Sequence, residues 1–116
     1  MKPAIDIETL TKDERSMMLY AESCCVDYSG LLEACRMNNE DMAALRRFQE
    51  AGLLTFGRVP AKLLGQLASY GRKPTHWVTL SESGWNFAWT LRLRRSKQVS
   101  PSRKAVDEVL AERAAA

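Results

Sequence analysis

Residues 42–58 read "MAALRRFQEAGLLTFGR", and no other stretch constrains the fold as tightly. An amphipathic helix runs into a glycine and then, without a spacer, into an apolar β-prone run. Ala44, Leu45 and Phe48 recur at helical spacing and predict one inward face. Just upstream, one of Asn38 and Asn39 is expected to cap the helix, because a short amide side chain can accept from a first-turn N–H that has no helical partner. Glu40 and Asp41 fall in that first turn, where the helix dipole favours negative charge. Gly52 is suited to the left-handed residue that closes a helix. The spacing predicts a helix over 40–51 and a strand over 53–59.

The rest of the chain punctuates itself in the same way. Thr11-Lys12-Asp13-Glu14 has the form of a capping box and predicts a helix toward Tyr28, with Met17, Ala21, Cys24, Tyr28 and Leu31 on one stripe. Ser29-Gly30 breaks that stripe, and a short helix is expected over 31–36. "THWVTL" at 75–80 reads as a second strand, rich in aromatic and β-branched residues. Between the strands, Pro60 opens a short helix carrying Leu63, Leu64 and Leu67, and "GRKP" at 71–74 reads as a turn. Ser81 or Ser83 caps a helix through Trp85, Trp89 and Leu93 to about Arg95. Polar "SKQVSPS" follows as a linker, and Ser100-Pro101 starts a last helix with a narrow Val106, Val109 and Leu110 stripe.

At 116 residues the chain fits one domain and buries enough surface to fold without disulfides or metal. No apolar run approaches the roughly 20 residues that a spanning helix needs. "MKPAIDIETLTKDER" lacks the apolar centre of a signal peptide, so the expected compartment is the cytoplasm, with no membrane partner. Cys24, Cys25 and Cys35 are odd in number, two of them adjacent, and are expected as buried, reduced thiols. With His76 as the only histidine there is no recognisable metal site, and no cofactor is expected. Nor does any nucleophile–base pair or phosphate-cradling loop point to an enzyme; His76 beside Trp77 reads as a strand residue with a satisfied ring.

Charge is distributed unevenly. Residues 1–50 carry 6 Lys/Arg against 10 Asp/Glu, a balance of −4, and residues 51–116 carry 11 against 4, a balance of +7. A basic half suits an anionic partner, because clustered cations release counterions from a phosphate backbone. A lopsided solvated surface would give the same totals.

Taken in order, "MNNEDMAALRRFQEAGLLTFGR" (37–58) and "HWVTLSESGWNFAWTLR" (76–92) resemble the winged helix-turn-helix family. The first is similar to the family's turn, recognition helix, "EAGLL" ending and first wing strand. The second is similar to its return strand and the "LTxxG" opening of the helix after the wing. The resemblance covers residues 11–95. It implies a mostly helical α+β fold: an N-terminal arm (1–10), a winged helix-turn-helix domain with an extended wing insertion (11–97), and a linker with a C-terminal helix (98–116).

The resemblance also implies a mechanism. Helix 39–51 would enter the major groove of double-stranded DNA and the wing would grip flanking backbone. The outward positions are Asn39, Glu40, Ala43, Arg46 and Arg47, with Glu50, and the wing cations are Arg58, Arg72 and Lys73. Asparagine matches adenine and arginine matches guanine in donor–acceptor geometry. The expected function is a small transcriptional regulator of bacterial or phage/mobile-element type, occupying an operator as a homodimer. The alternative is a protein–protein interaction module on the same scaffold, a mobile-element accessory or inhibitor protein without sequence-specific DNA binding. It draws on the acidic first half and on the leucine-rich insertion, whose leucines are expected to form a packed helix and a partner surface. Glu40 and Asp41 weigh the same way, since a carboxylate about 6 Å from a phosphate costs roughly 2–3 kcal/mol at an effective dielectric near 20. The apolar excess of the Trp85–Trp89 helix implies either deep burial or packing against a second subunit, and a homodimer through this helix and the C-terminal segment is expected.

Overall fold

Two reciprocal caps set where the N-terminal helices begin. Thr11 Oγ1 accepts from the Glu14 N–H at 3.1 Å while Glu14 Oε1 accepts from the Thr11 N–H at 3.0 Å, opening α1 (Lys12–Asp27). Asn38 and Asp41 repeat the device at 2.8 and 3.0 Å, opening α2 (Asn39–Glu50). Asn38, rather than Asn39, is therefore the cap, and one carboxylate of the acidic pair is spent closing it. The computed structural model of the chain describes residues 5–67 and 71–115. The first four residues of the expected arm, residues 68–70 of the insertion and residue 116 lie outside that description.

The short helix expected over 31–36 is replaced by a two-residue strand, β1 (Leu31–Leu32), and a 3-10 turn at Ala34–Arg36. The reason lies in the break before it. Ser29 and Gly30 both take positive φ, 56° and 79°, and turn the chain sharply off α1. Leu31 and Leu32 then lie beside a strand far downstream, and Thr75 completes the seam by donating its N–H to the Leu32 carbonyl at 2.8 Å.

α2 ends as the sequence predicts. Gly52 takes φ 77°, its N–H reaches the Gln49 carbonyl and the Leu53 N–H reaches Phe48, both at 3.0 Å, which is a Schellman closure. The chain passes directly into β2 (Leu54–Arg58), and β3 (His76–Leu80) returns antiparallel to it. The strand order β1-β3-β2 puts β3 in the centre. Its residues alternate between buried His76, Val78 and Leu80 and exposed Trp77 and Thr79, the period of a half-buried strand. In the connection, a 3-10 turn at Ala61–Leu63 and one helical turn, α3 (Leu64–Leu67), follow Pro60. The leucines of this insertion are packed only in part: Leu63 and Leu67 are half-buried and Leu64 is exposed.

Ser81 caps α4 (Glu82–Ser96), and its hydroxyl also donates to the Gly52 and Leu53 carbonyls, at 2.7 and 3.0 Å. Gly84 sits so close to this corner that a Cβ there would come within 1.8 Å of the Leu53 oxygen. Segments 37–58 and 76–92 therefore meet both along the β2–β3 pairing and at this corner. The core between α1, α2, α4 and the sheet contains Met17, Met18, Leu32, Leu45, Phe48 and Ala88, none more than 2% exposed. Burying each large apolar side chain of this set stabilises by about 1.5–3 kcal/mol. The result is a mostly helical α+β chain with a small three-stranded antiparallel sheet. No described helix is long and apolar enough to cross a membrane. α5 (Pro101–Ala115) follows residues 97–100 and is exposed along its whole length.

Candidate nucleic-acid interface

α2 is held by one face and free on the other. Leu45 and Phe48 are fully buried, and the Phe48 ring meets Phe87 of α4 at 6.1 Å between centroids. Gln49 reaches sideways and accepts from the Phe56 N–H at 3.1 Å, tying the helix to the edge of β2. That leaves Asn39, Glu40, Ala43, Arg46, Arg47 and Glu50 exposed, the six outward positions that helical spacing predicts. Arg46 has no ion-pair partner among the described residues. Arg58, at the far end of β2, and Lys73 also project to solvent.

Two predicted contact residues are placed differently. Arg47 is exposed but ion-paired with Glu14 of α1, a carboxylate already engaged in its capping box. Burial pushes the Glu14 pKa up, yet the Thr11 N–H and the Arg47 guanidinium together outweigh it and leave the group below its ordinary value. Arg72, expected to grip phosphate, is turned inward. Its Nε donates to Glu33 Oε1 at 3.1 Å, its Nη2 donates to the Leu31 carbonyl at 3.0 Å, and its guanidinium lies 3.6 Å over the Tyr28 ring. The cause is Glu33, which the turn after β1 leaves 7% exposed and which needs a cation more than a phosphate does. Only Lys73 of the "GRKP" turn keeps a free side chain, while its N–H donates to Glu33 Oε2 at 3.2 Å.

Glu22 makes a third pair of this kind, with Arg92 of α4, and Glu8 pairs with Arg94. Thus Arg72, Arg92 and Arg94, all from the basic half of the sequence, are matched by Glu33, Glu22 and Glu8 from the acidic half. Much of the lopsided charge is consumed in joining the two halves of the fold. No spacing rule reveals these pairs, because each partner lies at least 39 residues from the other. Burial of Glu22 and Glu33 was the missing signal for two of them, and a single sequence does not display it; Glu8, which pairs with Arg94, is exposed.

The thiols are free: Cys24 is buried, Cys25 half-buried and Cys35 exposed, so the expectation of burial fails at Cys35. Burial raises the pKa of both Cys24 and Cys25. His76 is 7% exposed with Nδ1 2.8 Å from Thr75 Oγ1, a satisfied ring as expected, and burial and then Arg58 lower its pKa. Among the described residues no group of His, Cys, Asp and Glu is arranged to hold a metal ion. Comparison with protein-family models, with curated proteins and with solved structures found no match to the chain.

Proposed function

We propose that the chain is a small winged helix-turn-helix regulator that binds double-stranded DNA through the exposed face of α2. The observation that carries the reading is the pairing of an exposed, rigidly anchored helix face bearing Asn39, Ala43 and Arg46 with an adjoining hairpin that offers Arg58 and Lys73. In such a complex Asn39 and Arg46 touch base edges, and Arg58 and Lys73 neutralise flanking phosphates. Arg47 plays a smaller part, because leaving Glu14 would strand a nearly buried carboxylate. Arg72 plays none beyond positioning the turn that carries Lys73. The 3-10 turn at Ala34–Arg36 stands where the family's first helix of the motif belongs, so the approach of α2 to DNA depends on its own anchoring.

The regulator acts as a homodimer in this reading. Trp85, Trp89 and Leu93 follow at steps of four along α4 and are 41, 61 and 40% exposed, while Val106, Val109 and Leu110 leave α5 with an uncovered apolar stripe. A helix of 15 residues is marginal in water without a packing partner, and a second copy supplies one.

A second reading is favoured by a specific feature: Glu40 and Glu50 share the outward face of α2 with the arginine, and Trp85 and Trp89 leave an exposed apolar stripe on α4. A protein-interaction module would use both. Binding of mixed-sequence duplex DNA, titrated against salt, separates the two. The regulator gives a log–log slope of about −0.9 per neutralised phosphate. An interaction module shows no retention of DNA even at low salt.

A further inference from the structure

A cavity of about 660 Å³ opens between the N-terminal half of α1 and the C-terminal half of α4. Its floor is apolar, with Leu19 and Leu91 8 and 4% exposed. Its rim is cationic: Lys12 and Arg15 from α1, Arg94 and Arg95 from α4, with Glu8 as the sole carboxylate of the lining. Glu8 is occupied by Arg94, and Arg15 is held in place by donating to the Leu10 carbonyl at 2.7 Å. Lys12 and Arg95 have no ion-pair partner among the described residues. The positive end of the α1 dipole adds to the same field, so Lys12 sits where a helix least favours a cation. Arg94 and Arg95 stand in the last turn of α4, where the dipole favours cations. Lys12 has neither a favourable helix end nor an ion-pair partner among the described residues, and a bound anion removes its repulsion from the other cations of the rim.

We infer that this cavity is a binding site for a small amphiphilic anion, a phosphate or carboxylate headgroup on a short apolar body. The size falls within the usual range for small-molecule sites, and the lining joins Ile7, Leu19 and Leu91 to a predominantly polar rim, which suits a charged headgroup on a short apolar body. Lys12, Arg15 and Leu19 lie on one face of α1, spaced by three and four, whereas Glu14, the contact to α2, lies roughly half a turn round. The site is therefore separate from the face of α2 offered to DNA.

Calorimetric titration of the full chain with hexyl phosphate tests this without DNA present, so its outcome is independent of the regulator reading. Saturable binding is expected. Hexanol, which has the body without the charge, and inorganic phosphate, which has the charge without the body, each bind about tenfold more weakly or worse. Lys12→Gln combined with Arg95→Gln lowers hexyl phosphate affinity by about tenfold or more, while Lys104→Gln on α5 leaves it unchanged. Both rim side chains are exposed, so the double variant keeps its melting temperature. Equal affinity for inorganic phosphate would mark an adventitious ion only, and an unchanged double variant would place the ligand elsewhere. Either result overturns the assignment, as does the absence of any binding.

Discussion

Replacing Arg72 with alanine tests whether the "GRKP" turn is a DNA clamp or an internal clasp. The substitution removes a charge-assisted bond to Glu33 at 3.1 Å, a bond to the Leu31 carbonyl at 3.0 Å and a stack 3.6 Å above Tyr28. It leaves Glu33, whose side chain is 10% exposed, with the Lys73 N–H at 3.2 Å and Arg36 at 3.9 Å. Breaking a fully buried pair costs about 3–5 kcal/mol, and the remaining partners reduce that here to about 2–4 kcal/mol. For a domain of this size such a loss lowers the melting temperature by roughly 10–15 °C. The cost should mostly disappear in the Glu33→Gln, Arg72→Gln double variant, since neither charge is then stranded.

The same pair fixes a pH signature. The Lys73 N–H bond, then Arg72 and Arg36, hold the Glu33 pKa below its ordinary value against the opposing effect of burial. A carboxylate depressed in the folded state stabilises fully above its unfolded pKa, and that stability is lost as pH falls through the folded value. The wild type should therefore lose stability on acidification below the ordinary glutamate range more steeply than Arg72→Ala. Circular dichroism melts from neutral to acid pH measure both effects. A variant that melts within about 3 °C of wild type, but loses DNA binding, would show that Arg72 is a contact residue and refute the clasp.

Three further outcomes follow from the same geometry. Arg46→Ala should cost about 1–3 kcal/mol in DNA affinity by fluorescence anisotropy while leaving urea stability within about 0.5 kcal/mol, because its side chain is exposed and in no ion pair among the described residues. Gly84→Ala forces a Cβ against the Leu53 carbonyl and should destabilise by about 1–3 kcal/mol in urea, even though alanine is the better helix former. Trp89→Gln with Val109→Asp should convert a dimer to a monomer in sedimentation, and any loss of far-ultraviolet helical signal should stay within the share of α5, since Trp89 and Val109 are 61 and 49% exposed and neither belongs to the core.

The parts of the fold that were legible in the sequence are those decided within one helical turn. Thr11 with Glu14, Asn38 as one of two candidate caps, Gly52 at the close of α2 and Ser81 at the start of α4 each announce themselves through local hydrogen bonding. The outward face of α2 was legible for the same reason, as helical period alone separates Arg46 from Leu45. β1 was not, because Leu31 and Leu32 are a strand only by virtue of Trp77 and His76, whose place beside them depends on the whole intervening chain. The role of Arg72 was hidden likewise: its identity suggests a phosphate contact, and only the burial of Glu33 redirects it. Local chemistry marked the edges of elements; pairings across the fold decided which cations remained without an ion pair among the described residues.

The central claim is that α2 reads base pairs, and selection from a pool of random duplexes tests it most directly. Wild-type protein should enrich a two-fold repeat, and Arg46→Ala should relax preference at one position in each half-site while leaving the others intact. A pool that stays random after selection, or a preferred site that Arg46→Ala reads unchanged, would contradict the account.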